Sequence, residues 1–289
     1  MPDIRQIEGP KIILWGNSLA VSFHDIDAQK IHMQFNSLWK KYNSQKLTAF
    51  GAHFPESDIA TPLLLMREYE HIAKPVIYHI IMIDSVHYIL PSLRLEGADR
   101  NQFLAEPEPH FYRASKIESG IDSKIKYALT AMKADFFRLI LARIRKLKLD
   151  FSVKTYHKRP VDDGALPLTI EEIRESWDFL FQRLARVTEK PVAFLYSPAV
   201  PAIKNGILVM HEPHEELIYE FKKRAEFFGF EFIDMREDFV QFYEQTGLFP
   251  RGHKNHHPTS GHFNSQGNHL IAEKLVGFLE NKKDAILPA

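Results

Sequence analysis

Apolar residues along the chain alternate between short buried-looking runs and longer segments with helical spacing. The short runs predict strands at 11–15, 46–50, 75–83, 191–196 and 230–234. The longer segments, with apolar residues every three or four positions, predict helices at 56–72, 169–186, 214–228 and 264–279. Strands that alternate with helices are typical of a parallel sheet covered on both faces. The predicted fold is therefore α/β, a three-layer α/β/α sandwich with a mostly parallel, flavodoxin-like sheet.

Local signals mark two of the predicted helix ends. Thr169 and Glu172 have the spacing of a capping box, in which each side chain bonds a free backbone N–H of the first turn. Gly229 follows the helix predicted at 214–228 and is placed to end it, because glycine accepts the left-handed backbone found there.

The segment 91–167 interrupts this alternation, because it is too long for an ordinary strand-to-helix connection. Its second half has an amphipathic helical pattern with apolar residues on one side and cations, among them Arg143 and Lys146, on the other. We expect a helical insertion or cap within one domain of residues 1–289. The apolar side would pack on the core, and the alternative is that Arg143 and Lys146 contact a substrate or an anionic membrane surface.

Composition narrows the function classes. The 37 Lys and Arg residues balance 37 Asp and Glu, so no overall positive field favours nucleic acid as a partner. Without cysteine the chain has no disulfides and no thiolate chemistry. No apolar run reaches the roughly 20 residues of a membrane-spanning helix. As written, the chain is expected to be cytoplasmic, or exported or membrane-associated if a preceding segment was removed.

Candidate chemistry begins at Gly16-Asn17-Ser18, where the first predicted strand ends. Loops at the carboxyl ends of parallel strands collect ligands and reacting groups. A helix starting at Ser18 would favour loss of the hydroxyl proton and a nearby oxyanion. The plain structural alternative is a turn residue or helix cap. A nucleophilic serine also needs a general base, and His262, just before the last predicted helix, is the candidate.

These segments together resemble the GDSL, or SGNH, hydrolase family. The resemblance lies in the G-[DN]-S turn after the first strand, "FIDM" at the last strand, the helix "FNSQGNHLIAEKL" and a histidine two residues before that helix. It covers roughly residues 11–90 and 168–282 and is strongest from 215 to 279. It implies Ser18 as nucleophile and His262 as general base, with no cofactor.

The resemblance also implies an oxyanion hole. Its donors would be the backbone N–H of Ser18, that of Gly51 after the second strand, and a side chain after the third strand. The family has asparagine at this third position, whereas here Asp84 or Ser85 stands there. Asp84 would repel an oxyanion unless protonated or turned away, and Ser85 could donate a hydrogen bond.

Two further positions depart from the family pattern. Asn17 replaces an aspartate whose family role is to brace the turn. The family also places an aspartate two or three residues before the histidine, where this chain has Ser260 and Thr259. Another group must therefore orient the imidazole of His262.

Histidines cluster around the candidate base, at positions 253, 256, 257 and 262. No cysteine accompanies them and their spacing fits no common zinc motif, so we expect a solvated loop and no metal. His257 is a reserve candidate for the general base.

The sequence thus predicts a serine hydrolase or O-acyltransferase that acts on an ester of a carbohydrate or lipid through a Ser-His pair. Its partner would be a small-molecule or carbohydrate ester. The alternative is a catalytically degenerate SGNH-like module that binds cell-envelope carbohydrate or a membrane surface, possessing the fold without the reaction. The acyl group, the acceptor and the oligomeric state are left open.

Overall fold

A computed structural model describes residues 7–21, 27–53, 60–83, 170–212, 215–252, 259 and 261–287. Seven strands lie in these ranges: β1 (Lys11–Gly16), β2 (Thr48–His53), β3 (Val76–Ile83), β4 (Val192–Tyr196), β5 (Ala202–Lys204), β6 (Ile207–Val209) and β7 (Glu231–Asp234). The helices of the same ranges are α1 (Ser18–Val21), α2 (Ile31–Tyr42), α3 (Ala60–Ile72), α4 (Ile170–Val187), α5 (Glu215–Phe227), α6 (Arg236–Thr246), α7 (Ser265–Glu280) and α8 (Lys283–Ile286). A 3-10 turn spans Asp27–Gln29.

Five strands form one sheet in the order β2-β1-β3-β4-β7, and every neighbouring pair is parallel. This is the flavodoxin-like order of a doubly wound sheet. The chain passes from β1 to β2 on one side and then returns to β3 on the other. The switch point of the topology therefore lies between the carboxyl ends of β1 and β3, where ligands bind in such sheets.

Helices cover both faces of this sheet. On one face, alternate residues of β1 pack against α2, α6 and α7 in an aliphatic and aromatic core. The other face is richer in aromatic side chains, where Phe181 of α4 contacts Phe194 of β4 and Phe221 of α5. The predicted α/β fold class with its parallel, flavodoxin-like sheet is confirmed.

The observed elements refine the prediction in three places. The pattern predicts only a helix or turn region from Ser18 onward, where the structure has α2 with Ile31, Phe35 and Trp39 buried at four-residue spacing, and it missed α6. It also missed an antiparallel hairpin of β5 and β6. Its turn residues, Asn205 and Gly206, both have positive φ, as a tight two-residue hairpin turn requires.

Of the two predicted helix ends, Gly229 has φ of +82° just beyond α5, as expected for a glycine that ends a helix. Thr169 lies outside the described residues. So does the predicted insertion at 91–167, which stays a prediction. None of the helices in the described ranges is both long enough and apolar enough to cross a bilayer.

Candidate functional site

The first candidate segment is the turn that joins β1 to α1. Ser18 is the first residue of α1, directly after Gly16 and Asn17. A Cβ added to Gly16 would lie 2.5 Å from the Cβ of Ala20 and 3.3 Å from that of Met82, so only glycine fits this strand end. The Asn17 Oδ1 accepts a hydrogen bond from the Leu19 N–H at 2.8 Å. Close packing and a local hydrogen bond therefore brace the turn.

The helix α1 begins at Ser18. Its described part covers Ser18–Val21, and residues 22–26 lie outside the described ranges. Electrostatic help from a helix N-terminus at Ser18 stays a prediction. The role of the Ser18 backbone N–H as an oxyanion donor also stays a prediction.

The second candidate segment carries His262 and is fixed by a buried arginine. Arg251 is 3% exposed. Its guanidinium donates to the carbonyl oxygens of Ser197 at 2.6 Å, Pro198 at 2.9 Å and Gly261 at 2.9 Å. Because Ser197 directly follows β4, Arg251 ties the residue before His262 to the carboxyl end of that strand.

Backbone contacts also hold the half-buried His262. Its carbonyl oxygen accepts a hydrogen bond from the Gly252 N–H at 2.9 Å. The neighbouring Phe263 forms a bridge with Arg251, whose guanidinium lies 4.4 Å from the phenyl ring centroid. The peptide backbone at His262 is therefore fixed on both sides.

The start of α7 explains most of the motif that follows His262. Asn264 caps the helix by accepting from the N–H groups of Gln266 and Gly267, and its amide donates to the Phe249 carbonyl at 2.6 Å. A Cβ on Gly267 would overlap the carbonyl of Pro250. These residues position the backbone next to His262.

The same helix start is bonded to the chain that follows Ser18. The Asn268 amide donates to the Gln29 carbonyl at 2.9 Å, and the Gln34 amide donates to that same oxygen at 2.8 Å. Gln34 also donates to the Ser265 carbonyl at 3.2 Å. The 3-10 turn, α2 and α7 are thus joined by a polar contact beside both candidate segments.

The topology brings the two segments to one edge of the sheet. Ser18 follows β1, and the residue before His262 is bonded to the chain just after β4. Only β3 lies between these strands, so the two strand ends are about 10 Å apart. This edge, formed by the carboxyl ends of the strands and called here the carboxyl edge, includes the switch point.

Gly51 does not lie where the resemblance implied. It is inside β2, paired with Leu14, because the pairing of β1 and β2 continues as far as Gly16 and His53. The Thr48 N–H donates to the Pro10 carbonyl, whereas the Ala49 N–H donates to Asn36. Backbone groups alternate in direction along a strand, so the Gly51 N–H points away from β1. The prediction that Gly51 follows the second strand is wrong.

Thr259 occupies one of the positions where the family has an aspartate. It is buried, and its Oγ1 accepts a hydrogen bond from the Ile203 N–H of the hairpin at 2.9 Å. This hydroxyl is therefore used to hold the β5–β6 hairpin against the segment of His262. Sequence motifs give no sign of this contact.

A second buried network lies at the end of β4. The Tyr196 hydroxyl donates to Glu212, and the other carboxylate oxygen of Glu212 accepts from the Ala199 N–H at 2.7 Å. Burial, together with the nearby Glu212 charge, raises the pKa of Tyr196 far above its usual range. Tyr196 therefore stays protonated and fixes the chain at the base of the hairpin.

Several predicted residues lie outside the described ranges: Asp84, Ser85, Arg143, Lys146, His253, His256, His257 and Ser260. Within the ranges that are described, no group of three or more histidine or acidic side chains is arranged to hold a metal ion. Sequence reasoning missed Arg251, because a single arginine in a histidine-rich stretch has no pattern that separates it from a surface arginine.

The fold and these segments define a doubly wound α/β protein with a serine turn and a histidine segment at its carboxyl edge. No family model and no curated protein matches the chain. A solved acetyl xylan esterase matches with a TM-score of 0.48 and 13% identity, over 93% of this chain and 99% of the other.

Two further solved structures match at a similar level. A lipolytic protein of the G-D-S-L family from Veillonella parvula DSM 2008 has a TM-score of 0.46 and 9% identity, over 94% of this chain and 99% of the other. Phospholipase A1 from Streptomyces albidoflavus NA297 has a TM-score of 0.41 and 11% identity, over 95% and 99%. Because every one of these matches is distant, the architecture rests on this chain's own strand order and register.

Proposed function

We propose that this chain is an SGNH-like serine hydrolase or O-acyltransferase. The Ser18 hydroxyl attacks the carbonyl carbon of an ester, and His262 takes the hydroxyl proton. The Ser18 backbone N–H donates to the oxyanion that forms. The tetrahedral intermediate collapses to an acyl-serine, and His262 returns its proton to the leaving alcohol. Water or a sugar hydroxyl then accepts the acyl group.

The observation that carries this proposal is the meeting of two distant segments at one edge of the sheet. The Gly16-Asn17-Ser18 turn leaves β1 beside the switch point. Arg251 holds the segment of His262 at the end of β4, only two strands away. A serine and an imidazole at the same edge are the two groups that acyl transfer through a covalent intermediate needs.

The experiment compares Ser18→Ala and His262→Gln with the unchanged protein on a short soluble ester such as p-nitrophenyl acetate. The hydrolysis rate of both variants should fall to that of buffer alone. The melting temperature of Ser18→Ala should stay within about 2 °C of that of the unchanged protein. Ser37→Ala, on the exposed side of α2, and His211→Gln, at a largely exposed histidine, are matched controls that should keep full activity. Wild-type activity equal to that of Ser18→Ala would overturn the proposal.

One observation favours a second candidate, a binding module that has lost catalysis. Neither position 259 nor position 260 carries a carboxylate, and the Thr259 hydroxyl is bonded to the hairpin. Replacing the orienting aspartate of a catalytic histidine costs about 10⁴ in rate in a serine protease. A fluorophosphonate probe separates the two candidates, because an active enzyme is labelled at Ser18 and a module is not.

A further inference from the structure

The β5–β6 hairpin presents an unusual tip to solvent. Six consecutive residues, 203–208, are exposed, and three of them are large aliphatic side chains. Ile207 is 69% exposed, Leu208 43% and Ile203 39%. Large aliphatic side chains on a projecting turn cost solubility, so their presence together requires a reason.

Both faces of the hairpin carry apolar side chains. Ile203 is paired with Leu208, and Lys204 is paired with Ile207. Paired residues of an antiparallel hairpin share a face, and successive pairs alternate between faces. A protein surface contacts one face of such a ribbon, whereas the interior of a lipid leaflet surrounds the tip on all sides.

The charges of this segment suit an anionic surface. Residues 197–211 contain no aspartate or glutamate, and their one lysine, Lys204, precedes the Asn205-Gly206 turn at the tip. A lysine near an anionic leaflet is attracted to it by about 1 kcal/mol. With three-residue strands, the hairpin reaches about 10 Å, enough for the boundary between headgroups and acyl chains.

The base of the hairpin is firmly attached to the candidate site. Ala202 and Val200 are buried, and the Ile203 N–H donates to Thr259, three residues before His262. Glu212 accepts from the Ala199 N–H on the chain that enters the hairpin. A surface that holds the tip therefore also holds the chain beside His262.

We propose that the tip of the β5–β6 hairpin inserts into an anionic lipid surface and holds the carboxyl edge of the sheet against it. Ile203, Ile207 and Leu208 enter the leaflet, and Lys204 pairs with anionic headgroups. The binding does not depend on Ser18 chemistry. Resting on the proposed function, the inference also names the substrate class, an ester carried by a lipid or displayed at a membrane surface.

The test measures co-sedimentation of the full chain with vesicles of phosphatidylcholine and phosphatidylglycerol in equal parts. The double variant Ile207→Asp/Leu208→Asp should bind at least about tenfold more weakly, because two charges would have to enter the leaflet. Lys204→Ala should weaken binding about fivefold and reduce its salt dependence. Phe227→Asp, at a 77% exposed apolar residue of α5, is the matched control and should bind as the unchanged protein does.

Two results would overturn the inference. Undiminished vesicle binding of the double variant, with loss in Arg143→Ala/Lys146→Ala, would assign membrane contact to the basic segment instead. A dimer of the unchanged protein that becomes a monomer in the double variant, without vesicle binding by either, would make the tip a contact between copies. Hydrolysis of soluble p-nitrophenyl acetate should be equal in the double variant and the unchanged protein, so failure of this inference is distinguishable from failure of the Ser18 proposal.

Discussion

The two segments at the carboxyl edge are held in opposite ways. The turn of Ser18 depends on close packing of Gly16 against Ala20 and on a side-chain bond from the Leu19 N–H to Asn17. The segment of His262 depends on long-range polar contacts, since Arg251 bonds carbonyl groups more than 50 residues away in the chain. A local turn thus provides one candidate group, and a tertiary network provides the other.

Within these motifs, most of the residues hold the backbone in place, and only a few are candidates for the chemistry. Gly16, Asn17, Asn264 and Gly267 have backbone roles at their segments, as cap, brace or site of close approach. Thr259, where the family has an aspartate, bonds the hairpin. These motif residues therefore hold the backbone at the carboxyl edge. The variants that test catalysis are those of Ser18 and His262.

The largest effect on stability is expected at Arg251, in the polar contacts that hold the segment of His262. Arg251→Met keeps much of the buried volume but leaves the carbonyl groups of Ser197, Pro198 and Gly261 without this donor. We expect a loss of about 4 kcal/mol in the free energy of unfolding, measured by urea denaturation. Arg251→Lys should recover only part of it, because one ammonium cannot match the planar fork of a guanidinium. Equal stability of all three proteins would show that the segment is held in another way.

The sequence predicts the layers of this fold better than it predicts the site. Buried parallel strands are continuous apolar runs, and so four of the five sheet strands begin within one residue of their predicted start. Strand β2 begins two residues later and extends three residues further, which places Gly51 within it. Strand length here depends on pairing with β1, a tertiary property that no local pattern contains.

The candidate site was predictable only where a motif is local. The Gly16-Asn17-Ser18 turn is visible because strand, glycine and cap residues are adjacent in the chain. The roles of Arg251, Thr259 and Glu212 arise from contacts between distant segments. Their residue types are common in exposed loops, so no spacing in the sequence distinguishes them.

A smaller effect is expected at Gly267, where the two glycines of α7 provide an internal control. Gly267→Ala should cost about 3 kcal/mol of unfolding free energy, because its Cβ would overlap the Pro250 carbonyl beside the segment of His262. Gly277→Ala meets no atom within 4 Å and should stabilise the same helix by about 0.5–1 kcal/mol. Thermal and urea unfolding of both variants measure the difference. Similar values for the two would mean that the backbone near Pro250 yields easily.

The smallest effect on stability is expected at Gly16, in the closely packed turn of Ser18. Gly16→Ala should lower the free energy of unfolding by about 2 kcal/mol, because the new Cβ would lie 2.5 Å from that of Ala20. Ala20→Gly alone should cost about 1 kcal/mol through helix propensity. Since it removes the clashing methyl, the double variant should be about 1 kcal/mol more stable than the sum of the single changes predicts. Additive costs in this double-mutant cycle would show that the contact of Gly16 with Ala20 does not set the turn, and that the Asn17 bond or the neighbouring Met82 does.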